Sequence, residues 1–137
     1  ISVRAAITGH LVFSTLHTIG AANTIERIID VFPPNQQRQI TIQLASVLQA
    51  VISQQLIPSV DGTLIPVFEI MEVTPAIRNM IRENKVHQID GLIYSSTGSG
   101  MMSMDQSLMQ AYRDGKITKE TAVLYALNAE MLSKRLR

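Results

Sequence analysis

Thr8-Gly9-His10-Leu11-Val12-Phe13-Ser14-Thr15-Leu16-His17-Thr18 is a short apolar run that ends in hydroxyls and an imidazole. Residues 11–16 are too few for a helix of their own, and Val12, Phe13 and Thr15 favour extended backbone. The pattern predicts a buried strand here, and with it an α/β domain. Ligands of open α/β sheets gather just beyond the carboxyl ends of the strands. His17, with Thr15 and Thr18 beside it, is therefore expected at a functional rim.

Residues 1–7 read as the tail of a helix stopped by Gly9, which suits a left-handed cap. Ala21, Ala22, Ile25, Ile28, Ile29 and Phe32 recur at helical spacing, so residues 20–31 form an amphipathic helix closed by Pro33-Pro34. A longer helix is expected over about 35–54, with Ile40, Leu44, Val47, Leu48 and Val51 as its apolar stripe. Its other face carries Gln36, Gln37, Gln39, Gln43 and Gln49. The plain reading is an exposed neutral face, and the sharper one is a contact between protomers of a ring. Residues 56–60 and 64–70 are expected to form a hairpin about Asp61-Gly62.

Beyond the hairpin the pattern turns helical. Thr74-Pro75 caps a helix running to about Asn84, and a further helix is expected over 86–94. Residues 95–100 read as a flexible loop. Ser103 and Gln106 make a capping box whose helix ends at Gly115; Thr118 and Asn128 cap the last two helices. The division expected is 1–73, the α/β part, and 74–137, a helical carboxyl-terminal subdomain.

Bulk properties exclude more than they suggest. A chain of 137 residues can bury one sizeable core, and its 46% hydrophobic and 17% charged residues are ordinary for a globular protein. A net charge of +1 and the lack of a basic, aromatic-laced stripe leave a nucleic-acid surface unsupported. Lys134, Arg135 and Arg137 read most simply as a solvated chain end. With no cysteine there is neither a disulfide nor a thiolate metal cage. No run approaches the ~18 apolar residues of a membrane span, and no signal-peptide pattern opens the chain. Ile1 is not an initiator, and a strand comes within a dozen positions, so the sequence reads as the carboxyl-terminal part of something longer.

The phosphate-cradling pattern G-x-x-x-x-G-K-[ST] is absent; Gly115-Lys116 is the one Gly-Lys pair, with Gln110 where the first glycine belongs and Ile117 where the hydroxyl belongs. His10 and His17 lie seven apart, on opposite faces of the expected strand, which argues against a shared metal. Read from spacing alone, each imidazole does no more than bond nearby backbone. In residues 76–83, Ala76, Ile77, Met80 and Ile81 fall on one side of a helical wheel, with Arg78, Asn79, Arg82 and Glu83 on the other. Arg78 and Arg82 form one basic ridge. Met101, Met102, Met104 and Met109 suggest adaptable packing.

Two stretches also carry a resemblance. The run from Thr8 to Thr18 resembles the "His box" of the secretion ATPases that power type II secretion and type IV pili. Ala76-Ile77-Arg78-Asn79-Met80-Ile81-Arg82-Glu83 resembles the AIRNLIRE signature of the pilus-retraction branch, with Met80 in place of a leucine. Residues 24–33, 68–71 and 104–108 continue the likeness, so it covers nearly the whole chain. The resemblance implies the second half of a RecA-like P-loop ATPase domain followed by a helical subdomain. It also implies ATP and Mg2+ as cofactors of the intact protein. The assembly implied is a homohexamer on the cytoplasmic, inner face of the membrane, bound only peripherally and through a pilus platform protein. His17 becomes a γ-phosphate sensor supported by His10, Thr15 and Thr18, while the 76–83 helix becomes a retraction motif. This chain alone, lacking the P-loop, is expected to be inactive. The extension and secretion branch is the nearest rival, but those relatives usually carry a tetracysteine insertion where this chain has Asp61-Gly62. A non-enzymatic helical adaptor is the rival from another class.

Overall fold

Gly9, at φ 92°, closes helix α1 (Ser2–Ile7) with two reversed backbone bonds: its own N–H to the Ala6 carbonyl and the His10 N–H to Ala5, both 3.1 Å. This is the left-handed cap expected of a glycine there. The computed structural model describes residues 2–96 and 98–136, and all that follows concerns those. Helix α2 (Ala21–Asp30) and helix α3 (Pro34–Val47) come next, the second entered through Pro33-Pro34. Strands β1 (Ala50–Pro58) and β2 (Leu64–Glu72) form an antiparallel hairpin, the one sheet among the described residues. Then come α4 (Pro75–Arg82), a single 3-10 turn (Val86–Gln88), α5 (Ile89–Ser95), α6 (Met104–Arg113), α7 (Lys119–Tyr125) and α8 (Ala129–Arg135). The architecture is mixed α/β.

Three expectations need correction. Residues 11–16 are not a strand: they run irregularly, with Leu11 83% and Phe13 90% exposed. Extended propensity is realised only against a hydrogen-bonding neighbour, and no described segment pairs with this one. Helix α3 stops at Val47 rather than near Gln54, and Leu48 is already extended at ψ 130°. Val51 belongs to β1, because the tail of the supposed helix is captured by β2 in a nine-residue ladder from Ala50↔Glu72 to Pro58↔Leu64. The helix expected over 86–94 is split into the 3-10 turn and α5. The expected caps are all present: Thr74 accepts the Ile77 N–H, Thr118 that of Thr121, Asn128 that of Met131, and Ser103 with Gln106 closes a full capping box. Of the loop expected over 95–100, Thr97 lies outside the described residues.

The hairpin joins two apolar cores. Near its open end, Val51 and Met71 pack with Ile25, Leu44, Ile77 and Ile89. Near its turn, Ile57 and Val67 pack with Met104, Leu108, Ala122 and Leu132. Met101 and Met104, 5% and 0% exposed, fill these cores as expected. The other edge of β2 is closed by a bridge in which Ile70 and Met102 exchange backbone bonds of 2.8 and 3.0 Å.

Candidate functional site

Between the two cores, Ser53 and Glu69 face each other across the hairpin, directly in register and both turned inward. They are 5% and 2% exposed, and polar groups so buried need partners. Ser53 Oγ accepts the Gly20 N–H at 3.1 Å, and Glu69 Oε1 accepts the Ala21 N–H at 2.7 Å. Glu69 Oε2 accepts the Met104 N–H at 3.1 Å. One carboxylate thus caps the amino termini of α2 and α6, where the unpaired N–H groups and the helix dipole favour negative charge. Burial pushes the Glu69 carboxyl above its usual range, and repulsion from Asp90 and Asp105 adds to that, while its two backbone bonds pull the other way.

Gly20 suits this junction because it has φ 91°, ψ 144°, a region kept almost entirely for glycine. A Cβ there would stand 3.4 Å from Leu127 Cδ1 and 3.8 Å from Glu69 Oε1. Thr24 Oγ1 bonds the Gly20 carbonyl at 2.8 Å and meets Thr18 Oγ1 at 2.8 Å, so α2 also grips the segment that precedes it.

The histidine segment hangs from this anchor. Thr18 is half-buried and engaged with Thr24, whereas His17 and Thr15 are exposed and have no hydrogen-bond partner among the described residues. His10 sits at the other end, its Nδ1 3.1 Å from both the Ala5 carbonyl and Thr8 Oγ1. His10 therefore takes the local backbone contact that spacing alone suggests, while His17 stays available. With no strand formed, the two imidazoles are not on opposite faces of anything. No group of three or more His, Cys, Asp or Glu suited to a metal occurs among the described residues.

In α4, Ile77 and Ile81 are fully buried and Met80 packs half-buried against the same core, so that face docks on its own chain. Ala76 does not share it and is exposed. Arg78 is likewise not part of a free ridge: its Nη1 donates to the Ala45 carbonyl, one of the four otherwise unpaired at the end of α3. Arg82 is exposed, and Asn79 and Lys85 both bond Glu83, at 3.2 and 2.8 Å.

Two hollows lie nearby. One, of about 280 Å³, is lined by Glu69, Asp90, Tyr94, Asp105, Leu127 and Met131, among others. Asp105 accepts the Leu127 and Asn128 N–H groups at 2.7 and 2.9 Å, and Asp90 is raised first by burial and then by the charges of Asp105 and Glu26. Arg135 stacks 4.5 Å over Tyr94 beside it, so that basic residue is more than a solvated end; Arg137 is outside the described residues. The other hollow, about 260 Å³, places Arg4 against Gln36, Gln39 and Gln43 of α3.

Neither hollow is a phosphate cradle. Gly115, at φ 72°, ends α6 with N–H bonds from itself to Tyr112 and from Lys116 to Ala111. Gly115-Lys116 thus marks the carbonyl end of a helix, which repels phosphate. The amino termini of α2 and α6, which would attract an anion, already hold Glu69. These residues do not by themselves fit a triphosphate.

Sequence reasoning assigned no role to Glu69 or Ser53. Their only signal was a polar residue at an inward position of each strand, visible once the strand limits are known.

Comparison with known proteins supplies the context. A model described as type II/IV secretion system protein matches residues 1–64. A twitching motility protein of Neisseria gonorrhoeae is 46% identical over 97% of this chain and 36% of its own length. The type IV pilus retraction ATPase PilT of Pseudomonas aeruginosa is 45% identical over 89% of this chain and 36% of its own length. The chain thus spans about a third of the curated relatives it matches. A crystal structure of the pilus retraction motor PilT with bound ADP superposes on 97% of this chain and 37% of its own, with TM-score 0.85 and 43% identity. The ATPase DotB of Legionella pneumophila, 24% identical with TM-score 0.73 over 89% of this chain and 33% of its own, shares the fold.

Proposed function

Because this chain belongs to the family of type II/IV secretion system proteins, in the group that includes the retraction ATPase PilT, we propose that it is the carboxyl-terminal portion of an ATP-hydrolysing motor that retracts type IV pili. The observation that carries this reading is the superposition on the ADP-bound retraction motor across nearly the whole chain. In the motor, ATP with Mg2+ supplies the hydrolysable phosphate, from a cradle that lies outside these residues. This chain contributes the exposed His17, whose imidazole N–H is free to reach a terminal phosphate oxygen and to lose that bond on hydrolysis. Thr15 adds a hydroxyl donor, while Thr18 and His10 hold the two ends of the segment.

The proposed assembly is a homohexamer at the inner face of the cytoplasmic membrane, working on a platform protein of the pilus. No helix among the described residues is long and apolar enough to cross a membrane, which fits attachment through partners. The helix α4 carries the retraction motif: Ile77, Met80 and Ile81 seat it, and Asn79, Arg82 and Glu83 face outward. A role in pilus extension or secretion is the alternative; the tight turn at Asp61-Gly62 and the absence of cysteine favour retraction.

The test is complementation. The full-length polypeptide that carries these residues should restore twitching to a piliated strain lacking its retraction motor. Failure to restore it, with the protein present at normal levels, overturns the assignment to retraction.

A further inference from the structure

His17 and Thr18 are separated by two residues from a helix whose start is held by side chains from elsewhere in the chain. Helix α2 has no cap of its own, since its N-cap residue is Gly20. Ser53 and Glu69, paired across the hairpin, take the consecutive N–H groups of Gly20 and Ala21. Glu69 uses its second oxygen for the first N–H of α6, at Met104. The next residue, Asp105, holds the Leu127 and Asn128 N–H groups at the start of α8, and the Leu127 side chain lies beside Gly20, 3.4 Å from where a Cβ would stand. Carboxylate bonds thus join the start of α2 to the start of α6 through Glu69, and α6 to the start of α8 through Asp105, while the histidine segment is tied to α2 by the neutral Thr18–Thr24 contact and the backbone between them. Bonds to an ionised acceptor are roughly twice as strong as neutral ones. Hydrogen-bond networks between rigid helices are one route by which distant positions become coupled.

Resting on the motor reading above, we infer that Glu69 is a positioning residue. It clamps the amino terminus of α2, and with it the His17–Thr18 segment, to the amino terminus of α6, so that the segment and the carboxyl-terminal helices move together. Glu69 touches no substrate; it acts through the backbone that presents His17. Its two oxygens are both needed. A glutamine has one acceptor and turns an amide N–H toward the other donor, which breaks one link while conserving volume.

The experiment uses the full-length polypeptide, read by amide hydrogen exchange of peptides covering residues 17–24 and 103–107, and by ATP turnover. Glu69→Gln should raise exchange about tenfold in both peptides. It should also lower kcat about tenfold, with KM for ATP within twofold of wild type, because the cradle is elsewhere. Ser53→Ala, which frees only Gly20, should raise exchange in the first peptide and leave the second unchanged. Ser103→Ala loosens α6 without touching Glu69 and should raise exchange in residues 17–24 about threefold; it decides the matter should Glu69→Gln fail to fold. Exchange that changes at one end only in Glu69→Gln, or stays at the wild-type rate in residues 17–24 of Ser103→Ala, overturns the clamp. So does a wild-type kcat in Glu69→Gln. A wild-type protein that hydrolyses no ATP overturns the motor reading instead, and the exchange measurements still decide the clamp.

Discussion

Glu69 and Asp61 show how one chemical group, the carboxyl, acquires opposite pH behaviour. The Glu69 carboxyl is raised above its ordinary 4.5, so between that value and its folded one the native state binds more protons than the unfolded chain. Its contribution to stability is then fully present below about pH 4.5 and is lost as pH rises through the folded value. Relative to Glu69→Gln, wild type should lose stability across that rise in denaturation curves taken at several pH values; a flat difference would contradict it. Asp61 accepts from the Thr63 N–H at 3.0 Å, Thr63 Oγ1 at 2.6 Å and the Ser59 hydroxyl, and is lowered to about 2, hydrogen bonds from Ser59 and Thr63 being the cause. Its sign is reversed: the turn keeps its support at neutral pH and loses it as pH falls through about 2. Gly20 makes the plainest residue-level forecast. Alanine there must hold a glycine conformation beside Leu127, at a cost of ~1–3 kcal/mol in chemical unfolding. A neutral Gly20→Ala would mean that the junction is looser than its geometry.

At the scale of elements, α4 separates arginines that the sequence presents as equals. Arg78 pairs with the Ala45 carbonyl, so Arg78→Ala should destabilise by about 1.5–3 kcal/mol, whereas Arg82→Ala should stay within about 0.5. Equal losses, measured by urea unfolding, would show that the Arg78 bond is not made. Met80→Ala should impair retraction more than ATP affinity in the full-length protein, and equal loss of both would count against a motor-specific role for α4. What was legible here follows from range. Thr74, Ser103 with Gln106, Thr118 and Asn128 act on N–H groups three positions away, so local sequence displays them. Glu69 acts 48 and 35 positions away, on Ala21 and Met104, and no local pattern encodes that. Residues 48–54 misled because their apolar spacing satisfies a helix, while pairing with β2 decides the outcome. Residues 11–16 misled in reverse, having strand composition without a neighbouring strand.

For the whole molecule, the hairpin is the organising piece, since each apolar core claims one end of it and the Ser53–Glu69 pair lies between. Its outward face leaves Ile52 68%, Leu56 53% and Leu64 61% exposed. The likeness to secretion ATPases was legible from two motifs in order, whereas the α/β class was read from a strand over residues 11–16 that does not form, the sheet lying in β1 and β2 instead. The placement of His17 was not, because an expected strand became an irregular segment that still leaves the imidazole in solvent. The most direct test of the motor reading is therefore ATP turnover of the full-length polypeptide with His17→Ala. The side chain makes no contact that the fold needs, so Tm should shift by less than about 2 °C. Loss of a donor to the reacting phosphate should lower kcat by about 10²-fold. Turnover at the wild-type rate in the folded variant would contradict the account.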